Sequence, residues 1–190
     1  MTPEEAVARY DRYLTDFLEP LNICPWARRA RESGRLARAV CDVTELDVPA
    51  AVASLLTLTA PPPEVLDVAV LIFPAVTAEW TPFNRFVARV RDAFTPISVP
   101  VRGFYLVAMH PDAPLDLTTA DRAVAFMRRT PHPSIQVART GVIEDARRVG
   151  GGTVEESTSD RVARLGLNAV QEFGVERAVK LLDDIRHGRR

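Results

Sequence analysis

The sequence predicts an α/β domain whose small sheet is at least partly parallel or mixed and is covered by helices. Three apolar segments typical of strands alternate with segments whose apolar residues recur at helical spacing. The middle strand segment, residues 65–73, is apolar almost throughout, which is typical of a strand buried on both faces. Strands that alternate with helices favour right-handed βαβ crossovers and therefore parallel pairing.

The elements can be assigned in chain order. A helix over residues 6–18 has one apolar face, and a second helix begins at Pro25, since proline is favoured at the first helical position. Strands are expected at residues 36–44, 65–73 and 101–109, with helices at 49–58, 82–94 (capped by Thr81), 121–129, 134–149 and 161–186, the last broken near Gly174. A ferredoxin-like arrangement is the alternative, because one more strand near Ile135 would allow it.

The composition is that of a globular protein, with 47% apolar and 26% charged residues in a chain of 190. We expect one domain over residues 1–190, with residues 158–190 as a C-terminal helical appendage. A net charge of −1 gives no reason to expect binding to nucleic acid or to an anionic membrane. No apolar run is long enough to span a bilayer, and the acidic N-terminus lacks the features of a signal peptide. We therefore expect a cytoplasmic protein whose two cysteines are reduced.

Polar side chains that can carry chemistry follow the predicted strands. His110 and Asp112 come directly after the third strand, and Asn84 lies in the helix after the second strand. Cys24 precedes the second helix, whose N-terminus should return to the same edge of the sheet. Because open α/β sheets bind ligands at the carboxyl ends of their strands, these side chains are expected to share one cavity.

Cys24 carries the first functional hypothesis. A thiolate at a helix N-terminus feels the positive end of the peptide dipoles, which lowers the thiol pKa and favours a nucleophile or a metal ligand. The simpler interpretation is a cysteine that packs as a small apolar group. His110 would be an acid/base or orienting group, or else a strand-end histidine bonded to backbone. Asp112 would orient that histidine or cap a turn.

Three short motifs are similar, in the same order, to the signatures of a bacterial family catalogued as domain of unknown function 1415. They are Leu21-Asn22-Ile23-Cys24-Pro25-Trp26-Ala27, Met109-His110-Pro111-Asp112 and Arg129-Thr130-Pro131-His132-Pro133. The resemblance extends over about residues 10–148, implies an α/β fold and draws attention to Asn84, Arg129 and Arg139, but implies no reaction. The chain departs from the pattern at His132, where the family typically has tyrosine, and at Gln136, where it often has histidine.

Three functions are compatible with these residues. The first is a small-molecule enzyme in which Cys24, His110 and Asp112 are catalytic, and in which Asn84, Arg129, Trp26, His132 and Arg139 bind the substrate. The second is a metal or haem site with Cys24 and His110 as ligands. The third is a non-enzymatic binding or assembly domain that uses apolar surfaces around Trp26, Trp80 and the C-terminal helices. Formation of a homo-oligomer is left open.

Overall fold

The structure is a computed structural model that describes residues 1–98, 103–141 and 158–189. Its helices are α1 (Pro3–Arg12), α2 (Pro25–Glu32), α3 (Val48–Leu58), α4 (Trp80–Ser98), α5 (Ala120–Met127), α6 (Thr158–Phe173) and α7 (Val175–His187). Its strands are β1 (Leu36–Val40), β2 (Val68–Ile72), β3 (Phe104–Met109) and β4 (Ser134–Arg139). A π-helical segment, Tyr13–Leu18, continues α1. No helix in these ranges has the length and apolar character needed to cross a membrane.

The four strands form one mixed sheet in the order β1-β2-β4-β3. β1 is parallel to β2, and β4 lies antiparallel between β2 and β3. The carboxyl ends of β1, β2 and β3 therefore meet at one edge of the sheet, together with the first residue of β4. At this carboxyl edge Val40, Ile72, Ser134 and Met109 lie side by side. The predicted α/β class with a partly parallel sheet is confirmed.

A helical layer covers each face of the sheet. We call the cluster around Val70, Ile72, Val107 and Met109 the first core; it packs against α1, the π-helical segment, α5, α6 and α7. We call the cluster around Ala69, Leu71, Ile135 and Val137 the second core; it packs against α3 and α4. All five residues of β2 are buried because alternate side chains enter the two cores, as its continuous apolar sequence predicts.

The prediction of a helix at residues 134–149 is wrong for the first six residues, which form β4. These residues fill the space between β2 and β3 and are paired with a strand on each side. Such pairing outweighs local propensity. Residues 142–149 lie outside the described ranges. The sheet is not ferredoxin-like, because a helix separates each strand from the next along the chain.

Two other features differ from the sequence prediction: the residue at which the helix after β2 begins, and the contacts that the C-terminal helices make. The helix after β2 starts at Trp80, because the Phe83 N–H already bonds to the Glu79 carbonyl oxygen (3.0 Å). Thr81 therefore lies within the first turn and does not cap the helix.

The C-terminal helices, expected as an appendage, bury side chains in the first core: Val170, Ala178, Leu182 and Ile185. The predicted break at Gly174 is present, with a φ of 95° that favours glycine.

Candidate functional site

A pocket of about 160 Å³ lies beside the carboxyl edge of the sheet. It is lined by the segments that follow β3 and α5 and by one side of α7: Pro111, Asp112, Arg129, Thr130, Val179, Leu182, Asp183 and Arg186. Pockets for drug-sized ligands typically measure about 300–1,000 Å³, so this one suits a small molecule or one end of a larger molecule. Two of the motifs identified in the sequence, those containing His110 and Arg129, meet here.

His110 holds the turn that presents Asp112 to the pocket. The residue is 2% exposed; its Nδ1 accepts a hydrogen bond from the Asp112 N–H (3.0 Å), and its Nε2 donates one to the Ala78 carbonyl oxygen (2.9 Å). Burial lowers the pKa of His110, although the bond to Ala78 opposes this effect. The ring is therefore neutral near pH 7, and both of its nitrogens are bonded to backbone. An acid/base role for His110 stays a prediction.

Cys24 and His110 lie on opposite faces of the sheet. The His110 ring packs against Phe83 and Trp80 of α4, with centroid distances of 5.5 and 6.1 Å, on the side of the second core. Cys24 packs against the first core. The reason is strand alternation: Met109 faces the first core, so the next residue, His110, faces the second. Neither Cys24 nor His110 is among the described residues that line the pocket.

Arg129 is held in place and presents its terminal nitrogens at the pocket wall. Its Nε donates to the Ala113 carbonyl oxygen (2.6 Å), and its guanidinium carbon lies 5.5 Å from the centroid of the Phe126 ring. Nη1 and Nη2 make no hydrogen bond or ion pair with any residue that the structure describes. Desolvation lowers the pKa of Arg129, whereas the nearby Asp112 raises it. A guanidinium remains charged at pH 7, so the pocket contains a cation with no acidic partner in the described ranges.

The two acidic residues in the described lining of the pocket each have a basic partner. Asp112 Oδ1 lies 2.7 Å from Arg186 Nη1, an ion pair that joins the turn after β3 to α7. Asp183 pairs with Arg189 and lies 3.1 Å from His187. Within the described part of the chain, Arg129 is thus the pocket cation that lacks a counter-charge.

His132 lies behind the pocket wall. Its carbonyl oxygen accepts hydrogen bonds from the hydroxyl groups of Thr130 (2.8 Å) and Ser134 (2.9 Å), and the residue is 7% exposed. Its Nε2 is buried and has no hydrogen-bond partner in the described structure. Burial, together with the cations of Arg9 and Arg186, lowers the pKa of His132 to about 4. This histidine is therefore neutral and lies close to two arginines.

Cys24 occupies the N-cap position of α2 with an extended backbone, at the helix start that the sequence predicts. Asn22 precedes it with a φ of 50°, a left-handed conformation that asparagine tolerates better than most residues. The thiol is partly buried near Tyr10 and Tyr13, and the pKa of both phenols is raised, mainly by burial and further by Cys24. The side chain of Trp26 lies outside the described part of the structure.

The structure does not bring Asn84 or Arg139 to this pocket. Asn84 is exposed in the first turns of α4. Arg139 ends β4, about 17 Å from Ser134 at a strand rise of about 3.4 Å per residue. It donates to the carbonyl oxygens of Leu66 (2.6 Å) and Pro61 (2.5 Å) at the opposite edge of the sheet. These contacts tie the loop before β2 to the sheet.

The other two functional hypotheses receive no support from the geometry. No group of three or more His, Cys, Asp or Glu residues in the described ranges is placed to hold a metal ion. Cys24 and His110, the ligands of the metal or haem hypothesis, are separated by the sheet. Trp80, expected to contribute to an apolar binding surface, packs its ring against the second core and His110.

Sequence reasoning missed the contribution of α7 to the pocket, namely Val179, Leu182, Asp183 and Arg186. The only local signal in this segment is the apolar spacing of a helix, which predicts a buried face without indicating where the helix docks. The charged residues next to that face could not be connected to Asp112 and Arg129 from their positions in the chain.

No curated protein and no solved structure matches the chain. A family model described as a protein of unknown function matches residues 5–172. The match includes the whole sheet, the turn at His110 and Asp112, and Arg129, and it ends before α7. The resemblance carried by the three motifs is therefore confirmed, and the chain belongs to the family of proteins of unknown function DUF1415.

Proposed function

We propose that the protein binds a small organic acid at the carboxyl edge of its sheet, and that Arg129 holds the carboxylate of this ligand. The observation that carries the proposal is the guanidinium at the pocket wall, whose terminal nitrogens have no partner among the described residues. An arginine without an acidic partner in a partly desolvated site favours an anion there, since charge-assisted hydrogen bonds are stronger away from bulk water.

The shape of the guanidinium favours a carboxylate. Its planar fork matches the two oxygens of a carboxylate in a bidentate arrangement. The bond from Nε to the Ala113 carbonyl oxygen orients the fork in advance, so little side-chain entropy is lost when the ligand binds. Val179 and Leu182, which also line the pocket, offer an apolar surface to the hydrocarbon part of the acid.

The test is to titrate short carboxylates, from acetate to 4-methylpentanoate, into the protein at low ionic strength, with calorimetry as the readout. Arg129→Gln should weaken binding by about tenfold or more, the value of a charge-assisted hydrogen bond. The matched control is Arg122→Gln, because Arg122 is an exposed arginine that pairs with Asp116 away from the pocket. Binding that is equal in Arg129→Gln and wild type, or absent from wild type for every carboxylic acid tested, would exclude the proposal.

A second candidate function is an enzyme in which Cys24 acts as a thiolate. The observation that favours it is the N-cap position of Cys24, where the positive end of the α2 dipole favours a negative sulfur. Cys24 packs against the same core as Leu182 of the pocket wall. In this candidate enzyme, His110 is the orienting group that holds Asp112, because both nitrogens of the His110 ring are hydrogen-bonded to backbone.

Alkylation of Cys24 tests the enzyme candidate. The rate of reaction with iodoacetamide is measured against pH in a Cys41→Ala variant, because Cys41 is the other thiol of the chain. The candidate predicts a reaction faster than that of a model thiol, with a thiol pKa below about 8. A Cys24→Ala/Cys41→Ala variant gives the background. A slower reaction, or a pKa of about 8.5 or above, would end the nucleophile role.

A further inference from the structure

We infer that the ligand of this pocket is a zwitterion, an α-amino acid with a short aliphatic side chain; the inference rests on the proposed binding of a carboxylate by Arg129. The observation behind it is that acidic as well as basic side chains line the pocket. Asp112 and Asp183 line the wall together with Arg129, in a pocket of about 160 Å³. A ligand that fills so small a space meets both the cation and the acids.

Asp112 has the capacity to receive an ammonium group. Its Oδ1 is bonded to Arg186, and its Oδ2 has no hydrogen-bond partner among the described residues. An ionised carboxylate can accept about four hydrogen bonds, so the pair with Arg186 leaves room for a further donor. The His110 ring fixes the Asp112 backbone through Nδ1, so this acceptor is presented by a rigid turn.

The charge arrangement favours a zwitterion over a simple acid or a dianion. A simple acid on Arg129 brings its negative charge towards Asp112 and leaves Oδ2 without a donor, whereas an α-ammonium group supplies that donor beside the carboxylate. A dianion would bring a second negative charge close to Asp112 and Asp183, in a pocket where Arg186 is already paired with Asp112 at 2.7 Å. Both acids would repel that charge, whereas they attract the ammonium group of a zwitterion.

The aliphatic part of the ligand follows from the remaining wall. Val179 and Leu182 present apolar side chains from α7, on the side of the first core. An amino acid with a branched hydrocarbon side chain would bury that side chain against them, while its two charged groups meet Arg129 and Asp112. A large side chain would extend beyond a pocket of about 160 Å³, and a charged one would find no partner on Val179 and Leu182.

The experiment compares three probes that share a carbon skeleton: L-leucine, 4-methylpentanoate, which lacks the ammonium, and 3-methylbutylamine, which lacks the carboxylate. Calorimetric titration of the full chain should give leucine an affinity about tenfold or more above that of 4-methylpentanoate, and the amine should bind weakest. Equal affinities for leucine and 4-methylpentanoate would overturn the zwitterion while leaving carboxylate binding supported. Failure of both acids to bind would overturn both proposals.

A variant separates the two charged groups. Asp112→Asn should reduce leucine affinity by about tenfold but leave 4-methylpentanoate binding unchanged or tighter, because the ammonium loses its partner while Arg186 is released. The matched control is Asp116→Asn, which removes a surface acid that pairs with Arg122. Equal weakening of both ligands by Asp112→Asn would overturn the zwitterion. Thermal unfolding of each variant, measured alongside, separates loss of binding from loss of folding.

Discussion

Two histidines at the carboxyl edge are both buried and neutral, but their ring nitrogens differ in their hydrogen-bond partners. His110 has a backbone partner at each nitrogen, so its ring acts as a brace for the turn that contains Asp112. His132 keeps a buried Nε2 with no partner in the described structure and lies near Arg9 and Arg186. The sequence predicts that His110 lies just after a strand, but which nitrogens of the two rings are bonded depends on residues far away in the chain.

The buried state of His132 predicts sensitivity to acid. Its pKa is about 4 in the folded protein, against about 6.5 for an unfolded histidine. Between these values the unfolded chain binds a proton that the folded chain does not. The free energy of unfolding should therefore fall as the pH drops from about 6.5 to about 4, by up to about 3 kcal/mol. Urea unfolding at several pH values in this range measures the slope.

His132→Gln should remove most of this slope. The part that remains is due to His110, because burial lowers the pKa of that histidine as well. The matched control is His187→Gln, because His187 is exposed near the C-terminus. It should keep the wild-type slope. A pH dependence of His132→Gln equal to that of wild type would show that another group is responsible.

At the scale of elements, β4 and α6 are placed by packing that their own sequences do not specify. The sequence of β4 contains both apolar and polar residues and is by itself compatible with a helix. Pairing with β2 on one side and β3 on the other makes this segment a strand. α6 approaches α5 closely at Gly166, where no side chain intervenes. A Cβ at Gly166 would lie 2.6 Å from Sδ and 2.7 Å from Cε of Met127, which is itself 4% exposed.

In Gly166→Ala the buried Met127 must shift, which should cost about 1–3 kcal/mol. Alanine in place of glycine in a helix interior returns up to about 1 kcal/mol, so we expect a net loss of stability of up to about 2 kcal/mol. The loss caused by Gly166→Ala should be smaller in a Met127→Ala background, because alanine lacks both contacting atoms. The measurement is urea unfolding, with Asn168→Ala as the control at an exposed position of α6. Increased stability of Gly166→Ala would show that Met127 adapts without cost.

At the scale of the whole molecule, α7 joins parts of the chain that are far apart in sequence. It buries Leu182 and Ile185 in the first core. Arg9 of α1 donates to the carbonyl oxygen of Arg186 (2.6 Å), and Arg186 itself reaches Asp112. One helix therefore contributes to the core, to a contact with α1 and to the wall of the pocket.

Removal of residues 174–190 should destabilise the whole fold rather than trim an appendage. Burial of a leucine or isoleucine side chain contributes about 1.5–3 kcal/mol, so loss of Leu182 and Ile185 costs about 3–6 kcal/mol. This is a large part of the 5–15 kcal/mol that typically stabilises a domain. Thermal unfolding followed by circular dichroism, with a hydrophobic dye to detect exposed core, provides the measurement. A truncated chain that unfolds cooperatively at the wild-type temperature would restore the appendage interpretation.

The sequence by itself determined the class of fold, the positions of three strands, the start of α2 directly after Cys24 and the placement of His110 and Asp112 just after β3. These features could be predicted because apolar periodicity and helix capping depend on neighbouring residues. Only the tertiary structure decided that β4 lies between β2 and β3, that Cys24 and His110 face opposite sides of the sheet, and that Arg186 meets Asp112. These depend on strand pairing and helix docking between distant segments, which are settled by the burial of the whole apolar surface.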